Sequence, residues 1–373
     1  MSRLEELIQE LTFAATHPKA MLDRHLAAGK KVVGCFPSYT PEELVCAAGM
    51  VPMGMWGAPV EPYLAKKYLP AFACPILQST LELGLQGKYR GLSAVLIPTL
   101  CDTFRCITQD WQAGVPDVPM IPVSYPQNRT GAGLDFLAHE FGVVRAKLEN
   151  ICGHAVTQGD MVRAIEVYNA HADVMRQFAA LTNDHLDLIT PQVRHHVMKS
   201  AWFMEKHEHT RLMEALLTEL KALPPYIWKG KRVILTGISS EPEELLTILA
   251  DNGLAVVGDD LAQESRQYRV NIPDGDCPGS RLAGKWKHQL CALVHDEHKA
   301  RVDMLVDMAR VTGADGVVAC MMKFCDPEEY DYPLIAKALG GIGVPTLYLE
   351  VDQQPGSTEQ IRTRLQTFAE MLG

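Results

Sequence analysis

The sequence lacks the Gly-rich motifs that bind phosphate groups. Neither G-x-G-x-x-G nor G-x-x-x-x-G-K-[ST] occurs in its 373 residues. Such motifs place backbone N–H groups around a pyrophosphate or triphosphate at the start of a helix. Their absence argues against a dinucleotide site or an ATPase site in this chain. The G-x-S-x-G elbow of α/β hydrolases is also missing, which disfavours hydrolytic chemistry.

An excess of basic residues and a long apolar run are missing as well. The chain has 35 Lys and Arg against 45 Asp and Glu, and its net charge is −10. Nucleic acids and anionic membranes attract basic surfaces, so we expect neither as a partner. Gly and Pro interrupt the apolar segment Leu44–Val60, and the N-terminal segment has the pattern of an amphipathic helix with no secretory apolar region. We therefore expect a cytoplasmic protein.

None of the ten cysteines forms a C-x-x-C pair, the spacing of zinc ribbons and thioredoxin-like proteins. A disulfide framework is not expected either, because the cytoplasm keeps thiols reduced. Metal binding, catalysis and burial remain as explanations. A free cysteine behaves as a small hydrophobic residue, so burial is the default. We predict burial for six of them: Cys35, Cys46, Cys106, Cys152, Cys291 and Cys320.

The chain contains an internal repeat. GKKVVGCFPSYTPEEL (Gly29–Leu44) and GKRVILTGISSEPEEL (Gly230–Leu245) align in register. Each copy predicts a β-strand, a Ser-bearing loop and a helix with Pro and two acidic residues in its first turn. Gly49 and Gly253 are predicted to end these helices, and a second short strand follows each. We infer two copies of one βαβ-type unit.

Strands alternate with helices in both halves of the chain. Strands are predicted at Ala94–Pro98, Gly316–Met322 and Thr346–Val351, and a helix is predicted near Tyr332–Leu339. This alternation is typical of the α/β class, with two doubly wound parallel sheets of Rossmann-like or flavodoxin-like type. Between the halves, Leu134–Leu223 has helical periodicity throughout.

These patterns divide the chain into three parts. We predict an N-terminal α/β domain over residues 1–133 and a C-terminal α/β domain over residues 229–373. A helical region over residues 134–228 is predicted to bridge them.

Two cysteines follow predicted strands directly. Cys101 closes the run LSAVLIPTLCD and Cys325 closes GVVACMMKFCD. Both thiols are therefore expected at the carboxyl ends of parallel strands, where ligand crevices open. A helix that starts right after a thiol favours its thiolate form. Cys74 in YLPAFACPI is a third candidate, and Cys277 is a fourth because Cys277-Pro278 repeats the Cys74-Pro75 pair.

Three converging thiolates suit a soft metal or an iron–sulfur cluster with one coordination position free. The residues alone leave this interpretation and buried structural thiols equally open.

Two further segments follow predicted strands and are candidates for lining the site. They are Trp56 in GMWG, and Glu264, Ser265 and Arg266 in DDLAQESRQYRV. Core packing is the alternative for Trp56, and a solvated loop is the alternative for the charged segment.

The segment MMKFCDPEEYDYP (Met321–Pro333) resembles the β subunits of the (R)-2-hydroxyacyl-CoA dehydratases. These include the 2-hydroxyisocaproyl-, lactoyl- and phenyllactyl-CoA dehydratases and component D of 2-hydroxyglutaryl-CoA dehydratase. The resemblance runs over nearly the whole chain, through GCFPSYTPEELVCAAGMVPMGMWG, YLPAFAC, LCDTFRC, YPQNR and DDLAQESRQ. Benzoyl-CoA reductase subunits and double-cubane-cluster proteins are more distant relatives. An ATP-dependent reductase component is therefore the alternative function.

The resemblance implies a ligand set and partners. In that family two α/β domains hold a [4Fe–4S] cluster through three cysteines, and the matching positions are Cys74, Cys101 and Cys325. The family pattern has no ligand at Cys277. A paralogous α subunit, an ATP-dependent [4Fe–4S] activator and a 2-hydroxyacyl-CoA substrate are implied as partners. Flavin occurs in some members, and the residues of this chain leave that question open.

The resemblance also implies a reaction. The activator injects one electron into the α/β heterodimer, and the substrate thioester becomes a ketyl radical anion. The radical expels the 2-hydroxyl group as water, loses a proton from carbon 3 and returns the electron, which yields an enoyl-CoA. ATP hydrolysis by the activator agrees with the missing phosphate-binding motif in this chain. The β subunit is expected to relay or store the electron, so we assign no general base here. The acyl group is not determined by this chain.

Overall fold

Two four-stranded parallel sheets form the framework of the protein. The structure is a computed structural model and describes residues 2–297, 299–353 and 358–373. The first sheet contains β1 (Val32–Cys35), β2 (Val51–Gly54), β3 (Ala94–Pro98) and β4 (Met120–Val123). The second contains β5 (Lys231–Gly237), β6 (Leu254–Leu261), β7 (Gly316–Met322) and β8 (Thr346–Val351). The predicted α/β class with parallel sheets is confirmed.

Both sheets have the same strand order, β2-β1-β3-β4 and β6-β5-β7-β8. The repeat seen in the sequence therefore corresponds to a repeated topology. Gly49 and Gly253 lie at φ +69° and +65°, just after the helices that they were predicted to end. In this order the chain adds its second strand on one side of the first strand and its third strand on the other side. In parallel sheets a crevice opens between the two strands where the order of addition switches, here β1 and β3 in the first sheet and β5 and β7 in the second.

Fourteen α-helices surround the sheets in the described part of the chain. The helices of the first half are α1 (Arg3–Thr16), α2 (Pro18–Ala27), α3 (Glu42–Ala47), α4 (Pro75–Leu85) and α5 (Asp102–Gly114). The middle region contains α6 (Gly131–Cys152), α7 (Gln158–Leu181), α8 (Pro191–Ser200) and α9 (Lys206–Lys221). The second half adds α10 (Glu243–Asp251), α11 (Pro278–Lys287), α12 (Ala300–Thr312), α13 (Asp326–Gly341) and α14 (Glu359–Met371). No described helix is long and apolar enough to cross a membrane.

Helices α6 to α9 occupy the middle of the chain, and the N-terminal helix joins them. Helix α1 packs against α8 and α9, so the first residues of the chain contribute to this helical layer. The domain boundaries near residues 133 and 228 stay a prediction.

Strand burial explains the continuous apolar runs of the sequence. All five residues of β3 and all seven of β7 are buried. Helices cover both faces of these parallel sheets, so the strands show no polar alternation. In β5, Val233 and Leu235 belong to the main core, whereas Ile234 faces a smaller core on the other side of the sheet. Alternate residues of a strand point to opposite faces, which accounts for the division.

Helix α13 begins at Asp326, as the acidic segment after Cys325 indicated. The start near Tyr332 that periodicity predicted is six residues too late. Pro327 occupies its first turn, where a missing N–H costs nothing. Pro333 lies inside the helix, and because Pro disfavours helix interiors it argued against a helix that continues through this position. The earlier start places the helix N-terminus directly after Cys325.

Candidate functional site

A cavity of about 530 Å³ opens at the carboxyl edges of the sheets and receives residues from both halves of the chain. Pro37 and Ser38 follow β1, and Ile238 follows β5. The cavity therefore lies where the strand order reverses in each sheet, as expected for a ligand site in an open parallel sheet. Three cysteines lie on its wall: Cys74, Cys101 and Cys325.

Each of these cysteines is the N-cap residue of a helix. Cys74 precedes α4, Cys101 precedes α5 and Cys325 precedes α13. The side chains therefore sit beside the unpaired N–H groups and the positive end of the helix dipole, which favour an anion. Three helix N-termini therefore bring cysteine sulfur atoms to one cavity, an arrangement suited to a metal-containing group that binds thiolates.

The thiols lie within electrostatic reach of one another. Burial raises the pKa of Cys74 to about 12, and the nearby Cys101 thiol contributes to that rise. Burial also raises the pKa of Cys101, while the N–H groups of Phe104 and Thr103 oppose the rise. Burial, the Glu328 carboxylate and the Cys74 thiol raise the pKa of Cys325 well above its usual value. Three thiolates so placed repel each other unless positive charge binds between them.

The three cysteines are candidate ligands for a metal-containing group. Among the described residues, no three His, Cys, Asp or Glu side chains converge closely enough to hold one metal ion. In a [4Fe–4S] cluster each thiolate binds its own iron, so the ligands stand around a cavity and not around a point. The three N-cap cysteines likewise lie on the wall of one cavity.

Comparisons with known proteins show the family of this chain. Residues 37–372 match the family described as 2-hydroxyglutaryl-CoA dehydratase, D-component. The chain belongs to this family. It is 44% identical to the lactoyl-CoA dehydratase subunit beta of Anaerotignum propionicum and 43% identical to the (R)-phenyllactyl-CoA dehydratase beta subunit of Clostridium sporogenes. Both alignments cover 100% of each chain. The (R)-2-hydroxyglutaryl-CoA dehydratase subunit beta of Acidaminococcus fermentans is 39% identical over 99% of this chain and 100% of its own. The resemblance predicted from the sequence is confirmed.

This D-component family member has strained backbone at two points of the cavity wall. Ser38 and Tyr39 lie at φ +65° and +61°, and Phe324 lies at φ +60° immediately before Cys325. Non-glycine residues rarely adopt this left-handed region, and such outliers cluster at functional sites. The sequence carries no signal for this conformation at any of the three positions.

The cavity opens to solvent past aromatic and acidic residues. Phe324 and Tyr330 line it and are 41% and 82% exposed. Asp102 and Asp326 lie beside the cysteine ligand candidates at the starts of α5 and α13, and both are exposed. The cavity that the cysteines line is therefore bordered by exposed residues.

Trp56 lies in the core of the first half and not on the cavity wall. It is 3% exposed, and its ring packs edge-on against Trp202 with the centroids 5.0 Å apart. Its backbone carbonyl accepts a hydrogen bond from Nε2 of Gln353 at 2.8 Å. The structure therefore places Trp56 as a packing residue between the two halves, and a part in function stays a prediction.

The DDLAQESRQ segment is buried, so its interpretation as a solvated loop is wrong. Glu264 and Arg266 are 2% and 1% exposed. Their charges tolerate burial because each is paired: Arg194 and His195 bind Glu264, and Glu328 binds Arg266. Burial alone raises the pKa of Glu264, but the positive partners outweigh it and hold the pKa at about 2.

Glu264, Ser265 and Arg266 lie behind the cavity wall. The Ser265 hydroxyl donates to the backbone carbonyl of Asp259 at 2.8 Å, which folds the segment back on β6. Arg266 reaches the wall indirectly, because its partner Glu328 is a lining residue. A role for the three residues in the site therefore remains a prediction, with Arg266 the nearest to the cavity through its partner.

Two other cysteines lie outside the cavity. Cys277 is the N-cap of α11 and is exposed, so internal symmetry does not bring it to the site. Backbone N–H groups of Ser280 and Gly279 lower the pKa of its thiol. Cys106 is exposed on α5, so its predicted burial is wrong. It occupies the solvent-facing side of an amphipathic helix, which the strand-based reasoning did not consider.

Sequence reasoning missed the charged residues that surround Cys325. Glu328, Asp331 and Lys299 line the cavity, and Arg301 lies directly behind them. The position of Glu328 three residues after a helix N-cap was a possible signal, because first-turn side chains stay close to the cap. Lys299 and Arg301 come from another helix, and no local pattern joins them to Cys325.

Proposed function

We propose that this chain is the β subunit of an iron–sulfur (R)-2-hydroxyacyl-CoA dehydratase, active in the cytoplasm with a paralogous α subunit. The relatives named as beta subunits align with it from end to end, which supports this role. The substrate class is a 2-hydroxyacyl-CoA and the product class is an enoyl-CoA. Catalysis is a lyase reaction in which water leaves the substrate.

One observation carries the proposal. Cys74, Cys101 and Cys325 come from three different helix N-termini and both sheets, yet they line a single cavity. We assign them as the ligands of a [4Fe–4S] cluster. Structural thiols have no need to share a cavity, whereas cluster ligands must.

When bound, the cluster supplies one-electron chemistry that no amino-acid side chain provides. The residues of this chain hold it and adjust its surroundings. The three thiolates neutralise part of the iron charge, and the starts of α4, α5 and α13 stabilise those thiolates. These three cysteines would bind three of the four irons, so one iron would lack a cysteine ligand from this set.

We assign the chain an electron-relay or electron-storage role. An ATP-dependent [4Fe–4S] activator delivers the electron, and the substrate binds chiefly at the α subunit. Reduction of the substrate thioester to a ketyl radical explains how a poorly acidic hydrogen on carbon 3 is removed. No residue of this chain is assigned as a general base, and the acyl group is selected largely by the other subunit.

Iron and sulfide analysis tests the cluster assignment. The chain is purified anoxically with its α partner, and about four irons per chain are expected at Cys74, Cys101 and Cys325. Cys101→Ala loses the cluster and its visible absorbance, whereas the matched control Cys277→Ala keeps both. Fewer than about three irons per chain in the unaltered protein, or an intact cluster in Cys101→Ala, contradicts the assignment.

Product analysis tests the reaction. The heterodimer is incubated with its activator, ATP and a 2-hydroxyacyl-CoA such as the lactoyl or phenyllactyl thioester. We expect the corresponding enoyl-CoA. A phenyllactyl thioester that keeps its hydroxyl group and gains electrons and protons in its aromatic ring would instead identify an ATP-dependent reductase of the benzoyl-CoA or double-cubane type.

A further inference from the structure

A buried network of ion pairs lies behind Cys325 at the carboxyl edge of the second sheet. It joins β6, the turn that follows it, α12 and α13. Arg266 binds both Asp260 and Glu328, with nitrogen–oxygen distances of 3.1 and 2.6 Å. Arg301 binds the same two carboxylates at 2.8 and 2.6 Å. Asp331 accepts from Arg301 and Lys299, each at 3.0 Å.

Glu328 brings one negative charge of this network to the cavity. It lies on the first turn of α13, and its backbone N–H donates to the carbonyl oxygen of Cys325 at 3.1 Å. Its Oε1 accepts from Arg266 and its Oε2 accepts from Arg301, both at 2.6 Å. Both oxygens are bound by guanidinium groups, so rotating the carboxylate away from the wall or protonating it would break charge-assisted hydrogen bonds.

Lys299 brings a positive charge to the same cavity. It lines the wall, and its Nζ donates to Asp331 Oδ1 at 3.0 Å. Its side chain is 45% exposed, so it can be replaced without disturbing the buried part of the network.

Stability is a weak explanation for this network. Burying an ion pair costs desolvation energy that the Coulomb attraction only roughly offsets. Apolar residues of similar volume often give the folded protein equal or greater stability. The position of two opposite charges on the wall of a redox cavity suggests another role. Reduction of a cluster adds one negative charge, so a fixed anion nearby disfavours it and a fixed cation favours it.

We propose that Glu328 and Lys299, held in place by Arg266, Arg301 and Asp331, set the reduction potential of the cluster bound at Cys325. Glu328 makes the potential more negative, and Lys299 makes it less negative. Both are positioning residues that act on the electron and do not touch substrate. The inference rests on the proposed function, because it presupposes that the cluster is present.

A redox titration followed by electron paramagnetic resonance tests this inference. The full chain is purified anoxically, and the signal of its reduced [4Fe–4S] cluster is recorded against the solution potential. Glu328→Gln removes the anion and shifts the midpoint to a less negative value. Lys299→Gln removes the cation and shifts it to a more negative value. The matched control is Lys337→Gln on the exposed face of α13, away from the cavity, which leaves the midpoint unchanged.

Opposite shifts separate an electrostatic role from a structural one, because general loosening of the site would not reverse sign between the two variants. Equal midpoints in iron-loaded Lys299→Gln and unaltered protein overturn the inference, even if Glu328→Gln assembles no cluster. An unaltered chain that binds no iron overturns the proposed function instead, and iron analysis of the same samples shows which of the two has failed.

Discussion

A buried histidine pair in the helical region predicts that the protein loses stability in mild acid. Nε2 of His171 on α7 lies 3.0 Å from Nδ1 of His209 on α9, and the Ser200 hydroxyl lies 2.8 Å from the other ring nitrogen of His209. Burial and the neighbouring Lys206 lower the pKa of His209 to about 3. Burial and His209 lower the pKa of His171 as well. Both rings are therefore neutral in the folded protein.

The sign and size of the effect follow from proton linkage. Below the unfolded pKa the unfolded chain binds protons that the folded protein cannot, so stability falls as the pH falls. For His209, with a pKa of about 6.5 unfolded and about 3 folded, the loss relative to neutral pH is about 1 kcal/mol at pH 5.5 and about 3 kcal/mol at pH 4.5. His171 adds a loss of the same sign.

The paired carboxylates Asp260 and Glu264 and the paired His195 do not obscure the stability loss from the histidine pair between pH 6 and 4.5. The pKa values of Asp260 and Glu264 are depressed, so their stabilisation is lost only below the unfolded carboxylate pKa of about 4. Burial lowers the pKa of His195, but its bonds to Glu241 and Glu264 outweigh burial and raise the pKa. Its stabilisation is therefore complete below pH 6.5 and does not change as the pH falls further.

Urea unfolding followed by tryptophan fluorescence measures the effect at several pH values between 7 and 4.5. His209→Gln keeps hydrogen-bonding groups at the site but cannot titrate, so we expect the unfolding free energy to fall less steeply, by about 1 kcal/mol per pH unit below pH 6. An unchanged slope in this variant would show that the pair is not neutral in the folded state and would refute the reasoning.

Two further predictions concern the backbone and the exposed thiol. Gly237 ends β5 at φ +135°, and a Cβ there would lie 2.1 Å from the backbone oxygen of Cys320. Thermal unfolding should therefore show Gly237→Ala to be destabilised by about 3 kcal/mol or more. The control Gly142→Ala, where a Cβ meets no atom within 4 Å, should be neutral or slightly stabilised. Cys277 is exposed and has a lowered pKa, whereas burial raises the pKa of Cys35, so Cys277 should react with iodoacetamide first. Peptide mass spectrometry after brief labelling measures the order of reaction. The reverse order would contradict the assigned thiol environments.

Local patterns predicted the strands better than the helix at the site. The strands Ala94–Pro98, Gly316–Met322 and Thr346–Val351 have the predicted bounds. Their apolar runs are short and end at Gly, Pro or acidic residues, so their limits are visible along the chain. Periodicity placed the start of α13 too late, because its first turn contains Asp, Pro and Glu and has no apolar periodicity before Tyr332, whereas the acidic segment after Cys325 indicated the observed start. First turns are formed by capping and dipole effects, which periodicity does not record.

The sequence by itself determined the parallel α/β class, the internal repeat and the strand-end position of Cys101 and Cys325. These features depend on neighbours within a few residues, so local chemistry specifies them. Only the tertiary structure decided that Cys74 shares a cavity with those two cysteines and that Cys277 does not. Only the tertiary structure gathered the charges around the cavity, because Arg266 and its partner Glu328 lie 62 residues apart. Such contacts arise when separate elements pack, and no single segment of the chain encodes them.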